Sequence, residues 1–347
     1  MIWILVVLVT IFLAVVAMLT VGILISGPRY KGPVSDHFEG SRFVNPGGAK
    51  AKGGLEVFKW MFTRKPPKWK DDVVESYGTR PLTHFHDGIR ITFINHSTFL
   101  IQVDDVNILT DPVWSKRVSP FRWIGPKRKK HPGIRFEDLP RIHVVLLTHN
   151  HYDHLDMETL RTVFVSSHPQ IVVPLGVRRF LEDNYISGAI ELDWGQSTEV
   201  KSLNVACVPA QHFSGRGLLD RDASLWCGYV IKSRAGNIYF SGDTGYNAEM
   251  FKKIGESHGP MKVSMLPIGA YKPAWFMAPI HVSPEESVLI HKDVKSATSI
   301  AMHFGTFPLA DDGREDPVED LQAAKARLGI EQDEFIVLHE GEARVFE

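Results

Sequence analysis

The hexapeptide His149-Asn150-His151-Tyr152-Asp153-His154 places four groups that can ligate a metal within six residues. It follows residues 143–147, a short and continuously apolar run that reads as a buried strand. An amphipathic segment begins at Met157, so the cluster falls on a strand-to-helix turn. Imidazole nitrogen mixed with carboxylate oxygen suits zinc, and iron or manganese accept the same mixture. In a tight turn His149 and His151 can point one way and Asp153 and His154 the other, an arrangement for two cations. Two divalent cations about 3.5–4 Å apart repel each other, and a shared carboxylate reduces that cost. Water held between them is acidified to near neutrality, so the chemistry in prospect is metal-assisted hydrolysis. The plainer alternative is a polar loop whose histidines cap the following helix, and it does not call for four ligating groups in this order.

His-x-His-x-Asp-His after a buried strand resembles the signature of the metallo-β-lactamase superfamily. That resemblance implies an α/β fold, an αββα sandwich of two mainly antiparallel or mixed β-sheets flanked by helices, with a dinuclear site at one sheet edge. It also implies a downstream histidine, a bridging aspartate and a final histidine. The sequence offers Ala210-Gln211-His212, then Ser241-Gly242-Asp243-Thr244-Gly245, then Met302-His303-Phe304-Gly305-Thr306, each after a candidate strand. On the resemblance, His149, His151 and His212 hold one zinc ion, Asp153, His154 and His303 hold a second, and Asp243 bridges them. Asp153 is also counted among the catalytic groups. Gly242 and Gly245 give the backbone around Asp243 room for close approach or unusual dihedrals.

The flanking motifs narrow the resemblance. Asn95-His96-Ser97-Thr98, Leu109-Thr110-Asp111-Pro112, Gly125-Pro126-Lys127-Arg128, Pro267-Ile268-Gly269-Ala270-Tyr271 and His281-Val282-x-Pro284-Glu285-Glu286 look like the N-acylphosphatidylethanolamine-hydrolysing phospholipase D branch, over roughly residues 88–345. The resemblance implies a phospholipid substrate cleaved to phosphatidate and an N-acylethanolamine, and homodimers. His281 is the candidate catalytic histidine that ligates no metal. It lies just before Ser283-Pro284-Glu285-Glu286, which reads as a capping box with proline at the first helical position. A helix N-terminus suits a phosphate. Asp111 is expected to orient a ligand histidine. Asn95 and His96 are expected to fix a loop through side-chain hydrogen bonds.

These groups need strands to carry them. Candidate strands lie at residues 91–94, 98–103, 107–110, 143–147, 171–173, 204–208, 225–231, 237–240, 263–267 and 299–302. Amphipathic helices are expected at 157–164, 177–183, 248–254, 284–291 and 318–328. Strands grouped with helices between them suggest two sheets covered by helices. The hydrolase domain is placed at residues 89–347. Residues 27–88, punctuated by Gly-Pro, Asn-Pro, Gly-Gly and Pro-Pro, read as a connector packing on that domain, with a short helix at 55–62.

Residues 2–25 carry no charge and are almost wholly apolar. As a helix of about 24 residues they span roughly 36 Å, enough for a hydrocarbon core. Residues 1–26 are therefore expected to be a transmembrane anchor, with a cleaved leader as the alternative. Arg29 and Lys31 follow the run and favour a cytoplasmic catalytic domain. Net charge is −1, from 39 basic and 40 acidic residues, so nucleic acid is not the expected partner. Between Val113 and Phe136 eight basic residues and no acidic one suggest a surface for anionic headgroups; a solvated loop is the alternative. Cys207 and Cys227 are expected to be buried free thiols. Two other functions stay open: a hydrolase of another ester, lactone or phosphodiester, and a non-catalytic anchored binding protein.

Overall fold

A computed structural model describes residues 2–71 and 77–347. Residues 72–76, inside the expected connector, and Met1 lie outside the described residues. The first half of the fold contains β1 (Ile89–Asn95), β2 (Thr98–Val103), β3 (Val106–Thr110), β4 (Val144–Leu146), β5 (Gln170–Pro174) and β6 (Ile190–Leu192). The second contains β7 (Ser197–Val200), β8 (Leu203–Val208), β9 (Gly228–Ser233), β10 (Gly236–Phe240), β11 (Met261–Pro267), β12 (Ser296–Met302) and β13 (Phe335–Ile336). The last strand, β14 (Ala343–Phe346), returns to the first half. The helices are α1 (Ile2–Leu24), α2 (Gly54–Thr63), α3 (Met157–Ser167), α4 (Val177–Asp183), α5 (Ala248–His258), α6 (Ala274–Met277), α7 (Pro284–Asp293) and α8 (Asp316–Leu328).

Two seven-stranded sheets result, ordered β14-β1-β2-β3-β4-β5-β6 and β13-β12-β11-β10-β9-β8-β7. Each is mixed in the same way. The pairings among β14, β1, β2 and β3 are antiparallel, and those from β3 to β6 are parallel. The pairings from β7 to β10 are antiparallel, and those from β10 to β13 are parallel. Parallel strands need crossovers, and α3, α4, α5, α7 and α8 lie in five of the six.

Strand alternation builds the layers. In β12 Ile300 and Met302 point between the sheets, whereas Ala301 points outward to the helices. In β4 Val144 and Leu146 face the intersheet core and Val145 faces α3 and α4. Each fully buried aliphatic or aromatic side chain contributes about 1.5–3 kcal/mol. Three stacked cores give the αββα order: α3 and α4 over the first sheet, the intersheet layer, then α5, α7 and α8 over the second.

Two sequence expectations shift. Residues 225–227 belong to no strand, because Leu225 and Trp226 are apolar for a different reason: they pack under Phe38 and Phe43 of the connector. The short strands β6, β7, β13 and β14 add to both sheet edges. The connector helix is α2, held by Trp60 stacked 4.8 Å from Phe276 and donating to Asp311 Oδ2. Cys207 and Cys227 are buried and free. None of the residues of α1 is buried, and it is long and apolar enough to cross a membrane.

Candidate metal centre

Four strands of the two sheets end at one edge, and each delivers ligating groups in the loop that follows. The loop after β4 carries residues 148–156. Thr148 donates from its N–H and hydroxyl to the buried carboxylate of Asp111, which follows β3. Leu155 N–H returns to His151 O, and Asp156 caps α3 by accepting from Glu158 N–H. The helix cap is therefore aspartate, which leaves the histidines free for other work. The loop after β8 supplies His212, that after β10 supplies Asp243, and that after β12 supplies His303.

One set of donors is His149, His151 and His212. His151 Nδ1 lies 2.9 Å from His149 Nε2 and 3.3 Å from His212 Nε2. The other set joins Asp153, His154 and His303, the three expected ligands, together with His96. Asp153 Oδ2 lies 3.5 Å from His154 Nε2 and 3.4 Å from His303 Nε2. Asp243 Oδ2 sits between the sets, 3.2 Å from His154 Nε2, 3.1 Å from His303 Nε2 and 3.8 Å from His212 Nε2. Tetrahedral ligands at about 2.0–2.1 Å from zinc are roughly 3.3–3.4 Å from one another, and these separations bracket that value. Yet His154 Nε2, His303 Nε2 and Asp243 Oδ1 are buried without any hydrogen bond. Each such orphan costs about 1–3 kcal/mol. Lone pairs that converge without pairing fit cations.

Protonation of five of the seven donors agrees with that fit, and His154 and His303 would each give up a proton to a cation. Burial works against the charges on Asp153 and Asp243, but the surrounding imidazoles, His154 first, hold both carboxyls well below the usual range. Burial pushes His149 and His212 well down, and His151 down to about 4. Ionised carboxylates and neutral imidazoles are the forms a divalent cation requires. Burial also opposes charge on His154 and His303, but Asp243 outweighs it and raises both, His303 to about 9.

The backing contacts set which ring nitrogen faces inward. His154 Nδ1 meets Asp111 Oδ2 at 2.7 Å, the orienting contact expected of Asp111. His212 Nδ1 donates to Ile280 O at 2.8 Å. Gly242 lies at φ 60°, and a Cβ there would stand 2.9 Å from Cys227 O and from the Thr148 side chain. Only glycine permits that approach.

His281 reaches the cluster, its Nδ1 3.9 Å from Asp243 Oδ2 and without a hydrogen bond. Burial lowers it to about 4, against the pull of Asp243. The capping box at Ser283 and Glu286 is present at the start of α7. Glu286 Oε2 itself accepts from Ser283 N–H, so this helix terminus carries its own carboxylate in the position imagined for a phosphate.

Two expectations need correction. His96 does more than fix a loop. It sits in the β1–β2 turn at φ 50°, buried, with Nε2 3.0 Å from Asp153 Oδ2 and its ring centroid 4.1 Å from that of His303, tilted by 41°. A non-glycine residue at positive φ marks a position held by its surroundings. Asn95, by contrast, does fix the loop, accepting from Arg128 and donating to Val113 O. The basic stretch is also not a free cationic surface. Lys127 and Lys129 both close on Asp71, holding that carboxyl down to about 2. Lys130 pairs with Glu340, Arg122 with Glu158, and Arg128 is buried. A cleft of about 670 Å³ beside the motif is walled by Trp114, Lys116, Phe121, Tyr152, Arg161 and Arg216.

The β-lactamase superfamily domain matches residues 106–304. The chain is 39% identical over 237 residues to the N-acyl-phosphatidylethanolamine-hydrolyzing phospholipase D 1 of Caenorhabditis elegans, covering 65% of this chain and 66% of that protein. It is 34% identical to the mitochondrial counterpart of Saccharomyces cerevisiae, covering 67% of this chain and 50% of that protein. A metal-dependent hydrolase of Methanopyrus kandleri is 29% identical over 74% of this chain and 99% of its own. The chain thus spans about two thirds of the nematode relative and half of the yeast one. Among solved structures, a metallo hydrolase of the archaeon Ignicoccus hospitalis shares the fold at TM-score 0.57 and 24% identity, over 75% of this chain and 98% of its own. With the ligating groups carried on four strand ends of two facing mixed sheets, the chain is a member of the metallo-β-lactamase superfamily.

Proposed function

We propose that this protein is a membrane-anchored phosphodiesterase that hydrolyses N-acylphosphatidylethanolamine to phosphatidate and an N-acylethanolamine. The observation that carries the reading is Asp243 Oδ2 standing between two donor sets. His149, His151 and His212 would hold one cation, Asp153, His154 and His303 the other, with zinc the proposed metal and iron or manganese its rivals. When bound, such a pair supplies Lewis acidity toward phosphoryl oxygens and acidifies a water to near neutrality. The protein's own groups do the rest. Asp111 and Ile280 O fix the ring nitrogens of His154 and His212. His281 offers a neutral ring beside Asp243, placed to donate its ring N–H to a phosphoryl oxygen. The buried floor around the donors limits competing solvent. The substrate class is proposed from the names of the nematode and yeast relatives, and α1 as a single-pass anchor from its length and composition.

The test is an assay of purified full-length protein on N-acylphosphatidylethanolamine, phosphatidylcholine and simple lactones, with metal content measured on the same sample. Phosphatidate release from the N-acylated lipid alone, at two metals per chain, is the expected result. Turnover of lactones without phosphodiester cleavage would move the assignment to a different hydrolase, the reading that the Methanopyrus relative supports. Metal-free protein with no activity would leave an anchored binding protein.

A further inference from the structure

The end of α1 is fastened to the loop that braces the histidine motif. Leu218 N–H donates to Gly22 O at 2.8 Å, and Leu219 N–H donates to Ser26 Oγ at 3.0 Å. Two glycines make the approach possible. A Cβ on Gly22 would stand 3.1 Å from Leu218 Cβ, and one on Gly217 would stand 2.5 Å from Gly22 O. Asp220 is buried, and its carboxylate accepts from Gly27, Arg216 and Gly217 N–H at 2.8–3.0 Å, tying the helix exit and the loop to one group. Arg29, the first basic residue after the apolar run, donates to Leu219 O.

The same loop continues into the site. Arg216 donates to Asn150 O at 2.7 Å and Leu155 O at 3.0 Å, and its guanidinium lies 3.9 Å from the centre of the Tyr152 ring. Gly215 N–H donates to Asn150 Oδ1, and Tyr152 OH donates to Arg216 O. Arg216 also walls the cleft beside the motif.

These contacts fix a depth. A hydrocarbon core of about 30 Å takes roughly 20 residues of helix, so a span beginning near Ile2 leaves the core near Gly22. Whatever is hydrogen-bonded to Gly22 O lies at that boundary. Leu218 and Leu219 do so while 54% and 48% exposed, and the guanidinium of Arg29 beside them matches the headgroup level. Arg216 is only two residues from Leu218, at most about 7 Å of chain.

We propose that residues 215–222 form an interfacial platform: Leu218 and Leu219 insert at the headgroup–acyl boundary of the bilayer that α1 crosses, and the platform holds the metal motif at the membrane surface. The inference rests on the anchor reading of α1 given above. Its consequence is lateral capture, in which a lipid reaches the site from the leaflet at the C-terminal end of α1 without crossing bulk water.

The experiment uses full-length protein in phosphatidylcholine nanodiscs, with an environment-sensitive fluorophore on Leu218→Cys, Leu219→Cys, Leu19→Cys or Lys201→Cys. Leu19 lies within the apolar span; Lys201 lies in the β7–β8 turn, at the opposite end of the strand that leads to His212. A lipid bearing a nitroxide high on its acyl chain is the quencher. Blue-shifted emission and quenching at positions 218 and 219, comparable to position 19 and absent at 201, is the expected result. Quenching at 19 with 218 and 219 behaving like 201 would overturn the platform alone. No quenching at 19 would overturn the anchor, and the platform with it.

Discussion

Asp111 contributes no atom to either donor set, yet it governs one. Its carboxylate accepts from Thr148 N–H and the Thr148 hydroxyl, and it receives His154 Nδ1, which leaves Nε2 for the interior. Asp111→Asn keeps the shape but sets an amide against the ring N–H, so the imidazole loses its enforced orientation. Affinity at the Asp153, His154 and His303 set should fall about 10–100-fold, read by chelator competition. An unchanged dissociation constant would refute the orienting role. His281 is the opposite case. It lies near Asp243 but in neither proposed ligand set, so His281→Ala should retain full metal content while turnover falls about 10²–10⁴-fold. Loss of metal together with activity would make it a ligand instead.

At the scale of elements, the connector is part of the site. Asn45 is buried and grips the His212 peptide from both sides: its Oδ1 accepts His212 N–H at 2.8 Å and its Nδ2 donates to His212 O at 2.8 Å. Trp226 Nε1 donates to the same Oδ1 at 2.9 Å. Asn45→Asp keeps the acceptor but faces a carbonyl with a carboxylate. We expect metal affinity at the His149, His151 and His212 set to drop about 10–100-fold, with Asn45→Ala similar. Equal affinity for wild type and both variants would show that the grip is dispensable. No sequence pattern announces this pairing, because the partners are separated by 167 positions. The same distance problem hid the acidic partners of Lys127 to Lys130, which come from Asp71 and Glu340, and the reach of His96 to Asp153. The candidate donors themselves were legible, because their chemistry is concentrated in short loops after apolar strands. The edge strands were not. β7 is mostly exposed and polar and β13 has two residues, so neither carries a periodic signal.

For the molecule as a whole, the donors matter because they add a bridge at one edge between halves that otherwise meet through a packed core and hydrogen bonds such as Cys227 N–H to Thr148 O and His303 N–H to His96 O. His149, His151, Asp153 and His154 hang from the first sheet, and His212, Asp243 and His303 from the second. Bound cations would therefore bridge the two sheets at one edge and discharge the electrostatic and desolvation cost of the orphaned donors. A ligand that binds only the folded state, present at 100 times its dissociation constant, adds about 2.7 kcal/mol of stability. For a domain of this size 1 kcal/mol moves the melting temperature by about 2–4 °C, so each metal stripped should lower it by roughly 5–10 °C. Calorimetry on detergent-solubilised protein, before and after chelation confirmed by elemental analysis, measures the shift. Titrating zinc, manganese and iron(II) back separately ranks the metals by recovery of the transition, independently of any activity assay. A melting temperature indifferent to verified metal removal would mean that packing and hydrogen bonds between the sheets suffice, and that the converging donors are tolerated rather than used.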